Sequence, residues 1–269
     1  MKRNILRELL NEGKPTIGTR MITTLPQIAE VIGESGLFDY IELLGDYASW
    51  TLMDLENFAR AVELFPHMSS MMKVDPEPRT FMTIRSLGAG IQNMMFADVY
   101  SADEGRECIR AVRPATPEDG GTHGCAMRRN VGYVLECGNE AWAQAQRDVV
   151  IGVVIEKVSA MENLEDILSI DGLDMVQFGP CDYAINLGKP GQRELPEIKR
   201  KERDMIELAL KKGRHPRVEL DNAQQLKELK EYIDMGVRHF SLGEDLSYIY
   251  QWCKENGNEI RQLLADSYQ

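Results

Sequence analysis

The chain has no long apolar run. No stretch approaches the roughly 18 apolar residues that a membrane span needs, so no membrane partner is expected. Cysteine is sparse, with five residues (Cys108, Cys125, Cys137, Cys181 and Cys253) and no C-x-x-C pair. The odd count fits free thiols in a reducing, cytoplasmic setting. Basic residues are in deficit, 31 Lys and Arg against 43 Asp and Glu, for a net charge of −12. That balance argues against nucleic acid and anionic membrane as partners. No G-x-G-x-x-G follows an early strand, which argues against an open doubly wound sheet. Residues 1–20 carry charges throughout and have no apolar core, so a signal peptide is not expected.

What remains is an ordinary globular composition, 43% hydrophobic and 28% charged over 269 residues. Eight β-rich segments recur along it: Thr16–Thr19, Asp39–Leu44, Ser69–Val74, Gln92–Phe96, Ile151–Glu156, Met175–Phe178, Arg217–Leu220 and Arg238–Leu242. Helical periodicity fills the gaps. Leu55, Phe58, Ala59 and Val62 fall at i, i+3, i+4 and i+7. Ile198, Met205, Ile206 and Ala209 repeat the pattern, as do Leu226, Leu229 and Ile233. Eight strands alternating with helices predict an α/β fold, a (β/α)8 TIM barrel, with residues 1–269 as a single domain and no linker. A polar amphipathic helix is expected over Met1–Lys14, with Ile5, Leu9 and Leu10 as its apolar face. One interval, Arg113 to Asp148, breaks the rhythm. It predicts a long loop, then a helix near Tyr133–Gln146. Loops of this length usually carry function.

The most informative stretch runs from Val149 to Gly191. Two β-rich runs flank a helical segment, and parallel strands need such a crossover. Glu156 closes the first run. Asp182 follows the second after Gly179, Pro180 and Cys181. Barrel chemistry sits at the carboxyl ends of strands, and two carboxylates at neighbouring strand ends suit a hard divalent cation. The plainer reading makes Glu156 a strand-end acid and Asp182 a helix cap.

The run VVIEKVSAMENLEDILSIDGLDMVQFGPCDYAINLG resembles a segment of the HpcH/HpaI aldolases, metal-dependent (class II) pyruvate aldolases of the phosphoenolpyruvate/pyruvate barrel superfamily. SLGAGIQNMMFADVYSADEGRECIRAVR and GVRHFSLGEDL are similar to further family segments, so the resemblance covers nearly the whole chain. It implies Glu156 and Asp182 as ligands of a divalent metal ion, Mg²⁺ or Mn²⁺. It implies a small-molecule 2-oxo acid as substrate, with Gly179, Pro180 and Cys181 at its carboxylate. The reaction implied is aldolase-type carbon–carbon lysis through a pyruvate enolate, whose charge a Lewis acid stabilises. The family's homohexamer is also implied, and Leu246–Leu264 offers a C-terminal helix for oligomerisation, with Ile249, Trp252, Ile260 and Leu263 to bury.

The chain departs from the family elsewhere. Leu44 and Tyr47 stand where the resemblance places an Asp and a His. Lys73 stands in place of an Arg, keeping the charge but losing the bidentate fork. Gly121-Thr122-His123-Gly124 loses another Arg. Lys73, Tyr47, Glu42 and His123 are therefore the candidate catalytic residues. Each also has a structural reading: a snorkelling lysine, a packed tyrosine, an ion-paired glutamate, a loop histidine. Glu42 shares strand parity with Leu44, and Glu219 with Arg217. An inward-facing cluster of Glu42, Lys73, Arg217 and Glu219 is expected, and it must be paired. His67, His215 and His239 read as loop or strand-edge residues. Two alternatives stay open: an enolate with a non-aldehyde partner (an acyl thioester or phosphonate-type group), or a catalytically silent 2-oxo acid binding protein.

Overall fold

The computed structural model describes residues 2–125, 128–135, 137–221 and 223–268. The expected interval 113–148 thus includes three residues, 126, 127 and 136, that lie outside the described set. Eight parallel strands close into a barrel in sequence order. They are β1 (Thr16–Met21), β2 (Tyr40–Leu44), β3 (Ser69–Val74), β4 (Asn93–Phe96), β5 (Ile151–Ile155), β6 (Met175–Phe178), β7 (His215–Leu220) and β8 (His239–Glu244). All eight expected segments are strands. The faintest of them, β1, extends to Met21 because it pairs on both sides, Gly18 with Tyr40 and Thr16 with His239.

Strand alternation builds two apolar layers. Ile41, Leu43, Met72 and Val153 face the helices in the outer layer. Tyr40, Met71, Met95, Val150, Val154 and Met175 fill the barrel interior together with Leu6 and Leu10. The last two come from the first helix, Ile5–Asn11, capped by Asn4. It is shorter than expected, and it buries Leu6 and Leu10 rather than Ile5 and Leu9. It plugs the N-terminal end of the barrel: Asn4 Nδ2 donates to Asn93 Oδ1 (2.8 Å), and Arg7 pairs with Asp174 (2.7 Å). Interior crowding fixes Gly18, where a Cβ would lie 2.1 Å from the Tyr40 ring. His239, at the start of β8, is buried rather than a loop residue, while His215 starts β7 half-buried, at the strand edge as expected. His239 Nδ1 lies 3.0 Å from Thr16 Oγ1, and its Nε2 lies 3.2 Å from His215 Nδ1. Burial pushes the His239 pKa down to about 3.

The long interval lies on the other face from the strand carboxyl ends. It follows the helix Ala102–Val112 rather than strand β4, so the chain has already crossed back. Its helix is Glu140–Arg147, later than expected, because Gly138 turns left-handed and Asn139 caps it through Trp142 N. Among the described residues, no helix is long and apolar enough to cross a membrane.

The interior also holds charge. Arg217 Nη2 on β7 lies 2.8 Å from Glu42 Oε2 on β2, with side-chain exposures of 1% and 0%. These strands are not neighbours, so the pair spans the barrel. Removing one partner strands a buried charge, which costs about 3–5 kcal/mol, whereas replacing both with apolar groups is often neutral. Arg217→Met is therefore expected to lower stability in urea unfolding by about 3–5 kcal/mol, with Glu42→Leu/Arg217→Met recovering most of it. Equal losses in the single and double variants would contradict the pairing.

Candidate active site

A cavity of about 190 Å³ opens at the carboxyl ends of the strands. Leu44, Lys73, Val154, Glu156, Gln177 and Glu219 rise into it from five strands and their ends, and Gly179, Pro180, Cys181 and Asp182 form one wall. It brings Glu156 and Asp182 together with Lys73 and Tyr47.

Glu156 follows β5 and is 3% exposed. Its Oε1 accepts from the Asp98 backbone N–H at 2.7 Å. Asp98 reaches that position in a left-handed conformation (φ 51°), and its carboxylate pairs with Lys157. Burial pushes the Glu156 pKa up to about 7, and neither Lys73 nor the Asp98 N–H outweighs it. The field of Asp182 adds to the rise. Asp182 lies in the first turn of the helix Pro180–Asn186, with Pro180 at its start.

Lys73, the last but one residue of β3, points inward. Its Nζ is 2.8 Å from Asp46 Oδ2, both side chains being under 10% exposed. Burial alone would favour the neutral amine. Asp46 first, and Glu156 second, reverse that and hold the ammonium above its ordinary range. The same nitrogen donates to Tyr47 Oη at 3.3 Å and lies 4.8 Å from the centre of the Tyr47 ring. Tyr47 sits at the rim, 58% exposed. Burial raises its pKa, with Lys73 opposing, so it stays a phenol near neutrality.

The expected inward cluster forms with one change of membership. Glu42, Arg217 and Glu219 are joined, and Gln177 bridges them, accepting from Arg217 Nε (2.6 Å) and donating to Glu219 Oε1 (2.7 Å). Lys73 leaves the cluster for Asp46. Its place is taken by Arg20 on β1, 2.9 Å from Glu219 and paired also with Asp221. Arg20 and Arg217 outweigh burial and hold the Glu219 pKa below the ordinary range. The sequence reading missed Asp46, Arg20 and Asp98. Asp46 and Arg20 could have been found from their places near the carboxyl ends of β2 and β1. Nothing in the sequence marks the Asp98 backbone.

Two candidate catalytic residues are not brought to the cavity. Glu42 is fully buried beneath its floor against Arg217. His123 is 3% exposed and packs on Trp142, their ring centroids 6.0 Å apart. It belongs to the interval that crosses to the other face. Burial pushes its pKa down to about 4. A larger cavity of about 660 Å³ does lie on that face, lined by Asn4, Arg7, Arg129 and Gln146. Its arginines are already paired, Arg7 with Asp174 and Arg129 with Glu63.

The family model for HpcH/HpaI aldolase/citrate lyase matches residues 53–251. The chain belongs to this family. The match makes it an enzyme, a lyase. A 2-keto-3-deoxy-L-rhamnonate aldolase of Escherichia coli O17:K52:H18 is 27% identical over 212 residues, covering 78% of this chain and 75% of that one. A solved HpcH/HpaI aldolase/citrate lyase family protein from Burkholderia cenocepacia J2315 shares the fold, with a TM-score of 0.86, 21% identity and coverage of 96% and 100%. The citrate synthase SbnG shares it as well, with a TM-score of 0.82, 21% identity and coverage of 96% and 97%. This HpcH/HpaI chain thus has the family's barrel, and its mouth holds Glu156, Asp182, Lys73 and Tyr47, with Asp46 paired to Lys73. Among its described residues, no three His, Cys, Asp or Glu side chains gather as a metal cluster.

Gly179 is the steric key to this mouth. A Cβ there would lie 2.7 Å from both Glu156 Cβ and Glu156 Oε2. Gly179→Ala is expected to lower stability by about 1–3 kcal/mol through overpacking. A crystal structure of the variant is expected to show the Glu156 carboxylate displaced from the Asp98 amide. An unmoved Glu156 would contradict this packing.

Proposed function

We propose that this enzyme is a divalent-metal-dependent carbon–carbon lyase acting on a small 2-oxo acid through its enolate. The observation that carries the reading is the pair of carboxylates, Glu156 and Asp182, lining one small cavity at the barrel mouth. Among the described residues, seven carboxylates line that cavity against four cations. An anionic substrate would be repelled there unless a further positive charge came with it. The donor set fits a hard cation. Glu156 Oε1 is occupied by the Asp98 amide, its Oε2 lies beside Gly179, and its pKa near 7 marks a buried carboxylate short of countercharge. Two protein carboxylates leave the remaining positions to water and substrate oxygens, as Mg²⁺ and Mn²⁺ prefer.

Glu156 and Asp182 would hold the metal, which supplies Lewis-acid stabilisation of developing enolate charge. The chain's own groups do the rest. Lys73, kept charged by Asp46, offers its ammonium to a substrate oxygen. The wall of Gly179, Pro180 and Cys181 lets backbone approach the substrate carboxylate. Tyr47 Oη, next to the Lys73 ammonium, is placed to move a proton at the carbon next to the carbonyl. A Lys held charged is unsuited to attack on a carbonyl, which requires the free amine. Schiff-base chemistry at Lys73 is therefore disfavoured.

Deuterium exchange at C3 of pyruvate tests this directly. Exchange is expected in the wild type with Mn²⁺, and a drop of about 100-fold or more in Glu156→Gln. Borohydride added with pyruvate is expected to leave activity intact. Metal-independent exchange, or inactivation by borohydride, would replace this reading with a Schiff-base one.

An oligomer, a hexamer by resemblance, belongs to the same proposal. The helix Asp245–Ser267 leaves Ile249, Trp252, Ile260 and Leu263 each more than half exposed, an apolar surface that association would cover. Sedimentation velocity is expected to give a multiple of 30.5 kDa. A monomer at micromolar concentration would rule it out.

A further inference from the structure

The long interval between β4 and β5 contains a feature that the catalytic mouth does not use. Cys125 Sγ and Cys137 Sγ lie 2.7 Å apart, and both residues are exposed. Two independent anchors hold them there. Two residues before Cys125, buried His123 packs on Trp142. Five residues after Cys137, Trp142 sits in the first turn of the helix that Asn139 caps. Gly138, at φ +70°, turns the chain between the cysteine and that cap. The two sulfurs therefore face each other because folded structure flanks both.

Between the cysteines, Arg128 and Arg129 fasten their own stretch of chain to the barrel's outer layer. Arg128 Nη1 donates to Ile84 O at 2.8 Å, and Arg129 donates to Ala89 O and to both Glu63 oxygens. Ile84 and Ala89 belong to the helix Arg79–Ala89, the one that follows Lys73 and β3. Gly88 and Gly90 make room: a Cβ at either would lie within 2.4 Å of an arginine side chain.

We propose that Cys125 and Cys137 are a reversible dithiol–disulfide site that locks this arginine clasp onto the helix Arg79–Ala89. The oxidant is a low-molecular-weight disulfide such as oxidised glutathione. A thiolate of the pair attacks it, forming a mixed disulfide and releasing one glutathione thiolate. The second cysteine displaces the other glutathione. One S–S bond breaks and one forms, two protein thiols lose their protons, and two glutathione thiols result. The closed ring is short, and it restrains opening of the segment that carries Arg128 and Arg129.

The test uses the full chain equilibrated across ratios of oxidised to reduced glutathione, quenched with iodoacetamide in denaturant so that buried Cys108 is also reached, and read by intact mass and peptide mapping. The five thiols are expected to fall to three alkylatable ones as the couple becomes oxidising, with the bond mapped to Cys125–Cys137. Cys125→Ser and Cys137→Ser are each expected to form no internal disulfide, the remaining cysteine of the pair carrying at most a glutathione adduct by intact mass. Tryptic cleavage after Arg128 and Arg129 is expected to be at least tenfold slower in the oxidised wild type, and insensitive to glutathione in either variant. Five alkylated thiols at every ratio, or a bond mapped to another cysteine, would overturn the site. An internal disulfide that leaves the cleavage rate unchanged would overturn the lock.

Discussion

Everything in this barrel depends on placing charge inside a closed sheet without leaving it unpaired. The interior runs from an apolar floor of Leu6, Leu10, Tyr40 and Met71 to a charged upper half. Arg217 and Glu42 are the hinge between the two. A guanidinium this deep is tolerable only because its neighbours are matched: Glu42 across the barrel, Gln177 beside it, Glu219 above. Arg20 and Asp221 extend the chain of charge to the surface. The mouth residues therefore stand on a polar lattice rather than on oil, and the orientation of Glu219 and Gln177 is set from below.

Above that lattice the mouth divides its labour. Lys73 and Asp46 are satisfied by each other, while Glu156 is not fully satisfied by anything the chain provides. A buried acid short of countercharge is a free-energy debt in the resting protein. It is also the kind of group found where a ligand completes a site. The contrast between a closed pair and an open carboxylate, within one cavity, is what gives the cavity a direction.

The order of strands and helices was legible because alternation and helical periodicity report backbone environment locally. Glu156 and Asp182 were legible for a related reason: strand ends can be located from the same pattern, and barrels put chemistry there. Their arrival in one cavity follows from the neighbouring strands that carry them. Partner choice was not legible. Lys73 was expected among Glu42, Arg217 and Glu219, yet it turns to Asp46, one residue after Gly45 in a loop whose path no periodicity encodes. His123 illustrates the same limit. It was a catalytic candidate, but the helix Ala102–Val112 carries the chain across the barrel before it, and the histidine becomes a packing element against Trp142. The first helix was visible as amphipathic and Leu10 is buried as expected, but Leu6 rather than Ile5 or Leu9 joins it in the barrel end.

That seat bears on how the molecule assembles as it is synthesised. The plug helix leaves the ribosome before the strands it closes, and its partners Asn93, Asp148 and Asp174 follow much later. Strand β1 likewise waits for β8, the last strand, before both of its edges are paired. Segments made earlier thus depend on segments made later, with contacts up to 229 residues apart. Long-range closure of this kind is slow relative to local structure. A nascent chain must keep Leu6 and Leu10 without their final partners until most of the barrel has emerged, so this helix is set after the strands it closes although it is made before them.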